Sequence, residues 1–393
     1  MASYLHPLLP LLLLILHVSQ ASHFPYSIVF PLNKDVTTLQ YVTQLHLGTP
    51  GVKINLVVDL NGPFTWVASD SIDVSTYQRM TTGRPSFSSD SNTCGLCPEN
   101  SFTRVYARGE LAEGIITVRS QTGLVSTVDH FLFSTAPPAL LTGLASGTNG
   151  MLGLGRTRLS LQSQLTGSMG LGICLSPSNG VVSLWMNSNG NLPVPRSLTY
   201  TPLVINLGNS ASKDYYIKVT SIKINNKLIS TNFSSPWMDG EGRGRTKLST
   251  VLPYTTLETS IYATFTKAFI NAATFMNMTM VTPVTPFRVC FRAKNDYSSW
   301  VPVIDLVLQS KMVKWRIYRE NSMVRVSDEV MCLGFLDGGP EFKGSIVLGS
   351  HQLEDNYLHF DVGRSMLGFS SSLLLRHTSC SNISLSHVPL ESI

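Results

Sequence analysis

The stretch from Ile54 to Trp66, INLVVDLNGPFTW, constrains this chain more than any other. Ile54, Leu56, Val57 and Val58 run into Asp59, Gly62 and Pro63 punctuate, and apolar residues resume at Phe64. That order predicts a strand, a tight turn and a second strand, with a carboxylate delivered at the turn. An acid at the end of a buried strand loses solvation unless hydrogen bonds or chemistry compensate. Asp59 therefore has two readings: an acid that caps its own turn, as in an Asx-turn, or one member of a reactive set.

The second half of the chain repeats this order. Residues 246–254, TKLSTVLPY, again read as strand and turn, followed by the most helix-like segment, Leu257 to Ala273. The glycine-bounded apolar run at 149–155, NGMLGLG, returns at 344–349, GSIVLG. Further strands are predicted at 39–47, 110–118, 129–133, 215–224, 301–308 and 312–317, with a short helix at 159–165. Residues 22–36 read as a Pro-punctuated lead-in and 69–104 as polar loop. Only 13 % of residues are charged, while Gly (29) and Pro (21) are frequent and Val, Thr, Ile and Ser fall in short runs. This predicts an all-β fold of two similar lobes, 22–204 and 205–393, related by a pseudo-twofold with a cleft between them. The lone Gly-x-Gly near 153 lacks a βαβ context and does not indicate a nucleotide site.

Residues 1–21 combine the apolar core Leu8–Leu16 with small residues before Ala21, the pattern of a cleaved signal peptide. No second apolar run reaches membrane length, so the expectation is a secreted protein free of the membrane. The net charge of +5 is spread without a Lys/Arg tract, which argues against a nucleic-acid partner. Six cysteines, Cys94, Cys97, Cys174, Cys290, Cys332 and Cys380, allow up to three disulfides in an oxidising compartment. Cys94 and Cys97 have the spacing of half a zinc site or a redox pair, but no second pair or histidine stands at ligand spacing. No metal or cofactor is expected. Sequons at Asn232, Asn277 and Asn382 mark candidate glycosylation sites on the surface.

Several motifs in order resemble the pepsin-like aspartic proteases in their plant form. They are the strand at Gln40–Thr43, the turn and tryptophan of 57–66, the loop at 150–156, and the run from Ser345 to Phe369. The resemblance spans about residues 25–380. Residues 246–255, 257–262, 304–310 and 349–356 are similar in wording to the extracellular dermal glycoprotein, basic 7S globulin and xylanase-inhibitor branch. The resemblance implies a bilobal double-β-barrel with few short helices. It also implies the pairs Cys290–Cys332 and Cys174–Cys380, with Cys94 either bonded to Cys97 or free.

Peptide hydrolysis on this fold needs two carboxylates that share one proton, since close like charges cannot both ionise. The resemblance places Asp59 at the first position, with Leu60 and Asn61 where a hydroxyl residue and a glycine belong. It places Ser249 at the second, with Val251 in the glycine's place. A serine hydroxyl donates and accepts hydrogen bonds but does not ionise in this range. Asp305, Asp337 and Asp361 sit in other motifs and do not replace the missing acid. Tyr106 stands too close to Gly109 for the family's flap tyrosine. The expectation is a non-enzymatic fold that inhibits a microbial cell-wall glycoside hydrolase, a xylanase or xyloglucan endoglucanase. His377 is then a candidate contact with the target's carboxylates, or else an exposed loop histidine. A storage or peptide-binding globulin and a residual aspartic endopeptidase are the alternatives.

Overall fold

The computed structural model describes residues 27–80, 97–120, 123–166, 170–185, 198–204, 214–230, 245–293, 301–342 and 344–382. The leader, Cys94 and Asn232 lie outside the described residues.

The first lobe begins with β1 (Ser27–Lys34), β2 (Tyr41–Leu47), β3 (Val52–Asp59) and β4 (Trp66–Ala68). A short hairpin follows, β5 (Glu99–Asn100) with β6 (Val105–Tyr106). Next come β7 (Glu110–Arg119), β8 (Val125–Ala136), β9 (Gly150–Gly153) and the helix α1 (Leu161–Thr166). β10 (Gly170–Leu175) and β11 (Asn179–Trp185) complete it. Six strands, in the order β2–β3–β9–β4–β8–β7, close into a barrel because β7 returns to β2 at Leu47↔Ile116 and His46↔Thr117. Alternation drives this closure: Tyr41, Thr43, Leu45 and Leu47 point into the barrel while their neighbours do not.

β12 (Thr199–Pro202) leads into the second lobe, with β13 (Thr246–Leu248), β14 (Thr255–Leu257), α2 (Thr259–Phe275), β15 (Phe335–Asp337), β16 (Ile346–Leu348), β17 (Tyr357–Asp361) and β18 (Met366–Phe369). The weave around the turn is the same in both lobes. β3 runs parallel to β9, which pairs antiparallel with β4, which is parallel to β8. β13 runs parallel to β16, which pairs antiparallel with β14, which is parallel to β15. The repeated Leu-Gly motif has a steric cause. A Cβ on Gly153 would sit 2.4 Å from the Phe64 carbonyl oxygen, and one on Gly349 2.4 Å from the Tyr254 carbonyl carbon. Only glycine lets each strand pass so close to the opposite backbone.

The halves meet in one sheet ordered β12–β18–β17–β10–β11–β1. Residues 199–202, at the end of the expected first lobe, thus contribute a strand to this shared platform. The lead-in at 22–36 likewise contains β1, paired with β11 from Ser27↔Trp185 to Asn33↔Asn179. Pro31 is tolerated there because its carbonyl faces β2, where Thr43 Oγ1 donates to it (2.8 Å) and the β1–β2 ladder covers only Asn33 and Lys34. The polar stretch 69–104 is not wholly loop either. It holds β5, which pairs with β6 just beyond it, and a two-residue strand at 78–79 against β7.

α2 starts two residues later than its pattern predicts. The Glu258 carboxylate accepts from the N–H groups of Ser260 (3.0 Å) and Ile261 (3.1 Å), which fixes the cap. The two disulfides implied by resemblance form: Cys174–Cys380 staples the C-terminal segment to β10, and Cys290–Cys332 bridges paired strands. Cys97 is also disulfide-bonded, and its partner lies outside the described residues.

Candidate functional site

Asp59 and Ser249 occupy matching places, at the C-terminal ends of β3 and β13 beneath the glycine of the neighbouring strand. Both are buried, 3 % and 6 % exposed. The Asp59 carboxylate accepts from Asn61 N–H through Oδ1 (2.9 Å) and from Ser101 Oγ through Oδ2 (2.5 Å). Ser249 Oγ accepts from the N–H groups of Val251 (3.3 Å) and Leu252 (3.1 Å). Each side chain therefore caps its own turn, as Asx- and ST-turns do. The capping reading of Asp59 is realised. Asp59 and Ser249 together do not make a proton-sharing carboxylate pair.

The lobes are tied through these turns. Thr250 Oγ1 accepts from Leu60 N–H (3.0 Å) and donates to the Val58 carbonyl (2.7 Å). Leu60 stands opposite Thr250 and cannot return those bonds; its side chain is buried in the main core instead. Asn61 supplies the reciprocal tie. Its Nδ2 donates to the Leu248 carbonyl (2.7 Å), and its Oδ1 accepts from Tyr215 N–H (2.9 Å). Tyr215 is itself buried, accepts from Gln162 Nε2 (2.6 Å) and packs on Phe360 at 4.6 Å between ring centroids. Burial raises its phenol pKa, so it stays neutral. Asn61 thus crosses between the lobes, a role its sequence position disclosed only as the absence of an expected glycine.

The β5–β6 hairpin covers Asp59. Trp66 Nε1 donates to the Glu99 carbonyl (3.1 Å), and Asn100 Nδ2 donates to the carbonyls of Leu140 (2.7 Å) and Thr142 (2.9 Å). These bonds hold Ser101 over the carboxylate. Tyr106, on the far strand of the same hairpin, is 70 % exposed. No sequence signal singled out Ser101, because its contact spans 42 residues and no periodicity marks it.

The other acids have separate partners. Asp305 is buried and held by Arg316 in a two-pronged ion pair (2.7 and 3.2 Å), with Lys314 at 3.7 Å. Asp337 accepts from Gly339 N–H (3.0 Å) and Thr259 Oγ1 (2.7 Å), which lower its pKa. Asp361 accepts from Arg364 N–H (2.8 Å). His377 is exposed in the left-handed region (φ 56°) at the end of a short 3-10 helix, three residues before the bonded Cys380. The loop is fixed because Cys380 N–H donates to Asp355 Oδ1 (2.8 Å) and Leu373 N–H to the Asp355 carbonyl (2.7 Å). Of the sequons, Asn277 and Asn382 are exposed. Among the described residues no group of three or more His, Cys, Asp or Glu is placed to hold a metal ion.

A second polar cluster joins the halves below the turns. Lys34 Nζ meets Glu354 Oε1 at 2.5 Å, with side chains 10 % and 4 % exposed. Tyr41 Oη donates toward the same oxygen (2.8 Å), and His351 Nδ1 lies 3.2 Å from Oε2. Burial pushes the Glu354 carboxyl up, but His351 and Lys34 outweigh it and hold the pKa below the usual value.

A family model described as xylanase inhibitor N-terminal matches residues 41–184, and one described as xylanase inhibitor C-terminal matches 214–371. The chain is 42 % identical to the probable aspartic proteinase GIP2 of Nicotiana benthamiana, over 94 % of this chain and 94 % of that one. It is similar to the crystal structure of edgp at 41 % identity and a TM-score of 0.83, covering 92 % of this chain and 98 % of that one. It is also similar to conglutin gamma, a basic 7S globulin from lupine seeds, at 33 % identity and 0.78, covering 93 % and 100 %. These matches run through both lobes and both turns, and the chain belongs to the xylanase-inhibitor-type family of pepsin-like proteins.

Proposed function

We propose that this chain is a secreted, proteolytically inert protein that inhibits a microbial cell-wall glycoside hydrolase, a xylanase or xyloglucan endoglucanase, in the extracellular space of a plant. One observation carries the reading: Ser249 stands where a second carboxylate would have to share a proton with Asp59, and its hydroxyl is engaged in its own turn. On this reading the fold serves as a scaffold that presents a binding surface, not as a protease. Membership in the xylanase-inhibitor-type family suggests the kind of target. The division into lobes at 204/205 and the leader at 1–21 belong to the same proposal.

His377 is the proposed contact. A backbone-anchored loop beside a disulfide presents the imidazole with little ordering entropy left to lose on binding. Protonated, it would be attracted to a carboxylate pair in a desolvated cleft. The test is reducing-sugar release by fungal xylanases and xyloglucanases with and without the purified mature protein. Dose-dependent inhibition of one class, relieved by His377→Asn, supports the reading; asparagine keeps the left-handed backbone accessible. Absence of inhibition by the folded protein overturns it and favours a storage or peptide-binding role. Cleavage of denatured globin across acid pH would instead establish an endopeptidase.

A further inference from the structure

We propose that Asn277 carries an N-linked glycan whose first N-acetylglucosamine rests on the exposed ring of Phe275, so that this aromatic is a built-in sugar platform. Buried residues of α2 fall on one face: Ile261, Phe265, Phe269 and Ala273. Phe275 lies two residues past Ala273, about 200° around a helix of 3.6 residues per turn. It therefore points away from the core and is 89 % exposed, the most exposed aromatic ring among the described residues. A ring left in water at the end of a helix serves no packing purpose here.

The helix ends in a defined turn. Met278 N–H donates to the Ala273 carbonyl (3.0 Å) and Asn277 N–H to the Thr274 carbonyl (3.0 Å), with Asn277 in the left-handed region (φ 58°). This is a Schellman stop, and asparagine is a usual residue at that position for conformational reasons alone. Conformation does not explain why Thr279 completes a sequon or why an exposed phenylalanine stands two residues before the asparagine. Phe-x-Asn-x-Thr places an aromatic face, an amide acceptor and the sequon hydroxyl within one rigid turn. The electron-rich face of the ring suits the weakly positive C–H groups on one side of a pyranose. The other described sequon lacks this arrangement: two residues before Asn382 stands Cys380, which is buried and disulfide-bonded.

The modification balances without redox chemistry. Asn277 Nδ2 forms a bond to C1 of the first sugar of a polyprenyl-pyrophosphate oligosaccharide. The C1–O bond to pyrophosphate breaks, and the amide gives up one proton.

The test uses the full chain secreted from plant or insect cells. Glycopeptide mass spectrometry reads Asn277, and an endoglycosidase that leaves one N-acetylglucosamine trims the rest. Thermal midpoints are compared for the parent, Phe275→Ala, Thr279→Ala and the double variant. Thr279→Ala removes the sequon while leaving the left-handed asparagine in place. The expected result is a modified Asn277, with Phe275→Ala lowering the midpoint by about 2 °C in glycosylated and trimmed protein. In the Thr279→Ala background the same substitution gives no fall. An unmodified Asn277, or an equal fall in both backgrounds, overturns the proposal.

Discussion

The two turns at the heart of the molecule carry complementary groups. The first holds an acid, Asp59, followed by the apolar Leu60. The second holds Ser249, followed by the hydroxyl residue Thr250. Both turns are held because a side chain from each bonds to the backbone of the other half. Thr250 reaches across to Leu60 and Val58, and Asn61 reaches across to Leu248 and Tyr215. Catalysis requires both acids at once, whereas a scaffold requires only that every buried polar group find a partner. On the proposed reading, that difference is what lets such a fold persist without proteolysis.

The comparison can be broken most forcefully at the glycines. Gly153→Ala and Gly349→Ala should each destabilise by more than about 4 kcal/mol, because backbone rather than a flexible side chain blocks the added methyl. Loss of secreted folded protein in both variants would confirm that the lobes use the same weave; failure of only one would break the equivalence. Thr250→Val comes next. It removes both hydroxyl bonds while keeping shape, at about 3 kcal/mol by denaturant titration. Asn61→Gly, which removes the side chain that crosses between the lobes, should destabilise by about 2 kcal/mol rather than stabilise. A more stable Asn61→Gly variant would refute the inter-lobe role of that side chain.

Two smaller effects sharpen the picture. The Glu354 carboxyl has a folded pKa below its unfolded value, so its contribution is complete above about pH 4.3 and disappears as pH falls through the folded value. Glu354→Gln should flatten that acid limb in a pH series of unfolding midpoints. An unchanged limb would show that the Lys34–Glu354 contact between the halves carries no linkage. Ser249→Asp should change stability least, within about 1 kcal/mol, because a carboxylate can accept the same Val251 and Leu252 N–H bonds. It should leave globin cleavage at background, since Ser101 still occupies Asp59 Oδ2 and Leu60 still fills the place of a hydroxyl. Cleavage by this variant would mean that Ser249 alone silences the site.

Much of the architecture was legible because its causes are local. The apolar runs into Asp59 and Ser249, and the glycines at 153 and 349, sit within a few residues of what they determine. The helix at 259–275 was readable from its periodicity; its cap, set by Glu258, moved the start, and it runs two residues past the expected end at Ala273. What could not be read depends on distant partners. β1 was hidden by Pro31, whose missing N–H matters only once it is known which flank faces β2. The β5–β6 hairpin has strands of two residues, too short for any period, and is held by Trp66 and Asn100. The use of Asn61 was invisible for the same reason, since its partners lie more than 150 residues away.

The shared sheet has a consequence for how the protein is made. β10, in the first half, finds its neighbour β17 only when residues 357–361 have been synthesised, and β12 waits for 366–369. A chain emerging from the ribosome can close its first barrel early, yet it carries an open strand edge until residues 357–361 arrive. Such an edge is a template for unwanted pairing. Messages truncated shortly before codon 357 should therefore yield aggregation-prone products rather than a free-standing first lobe, and the Cys174–Cys380 staple closes only after that edge is covered.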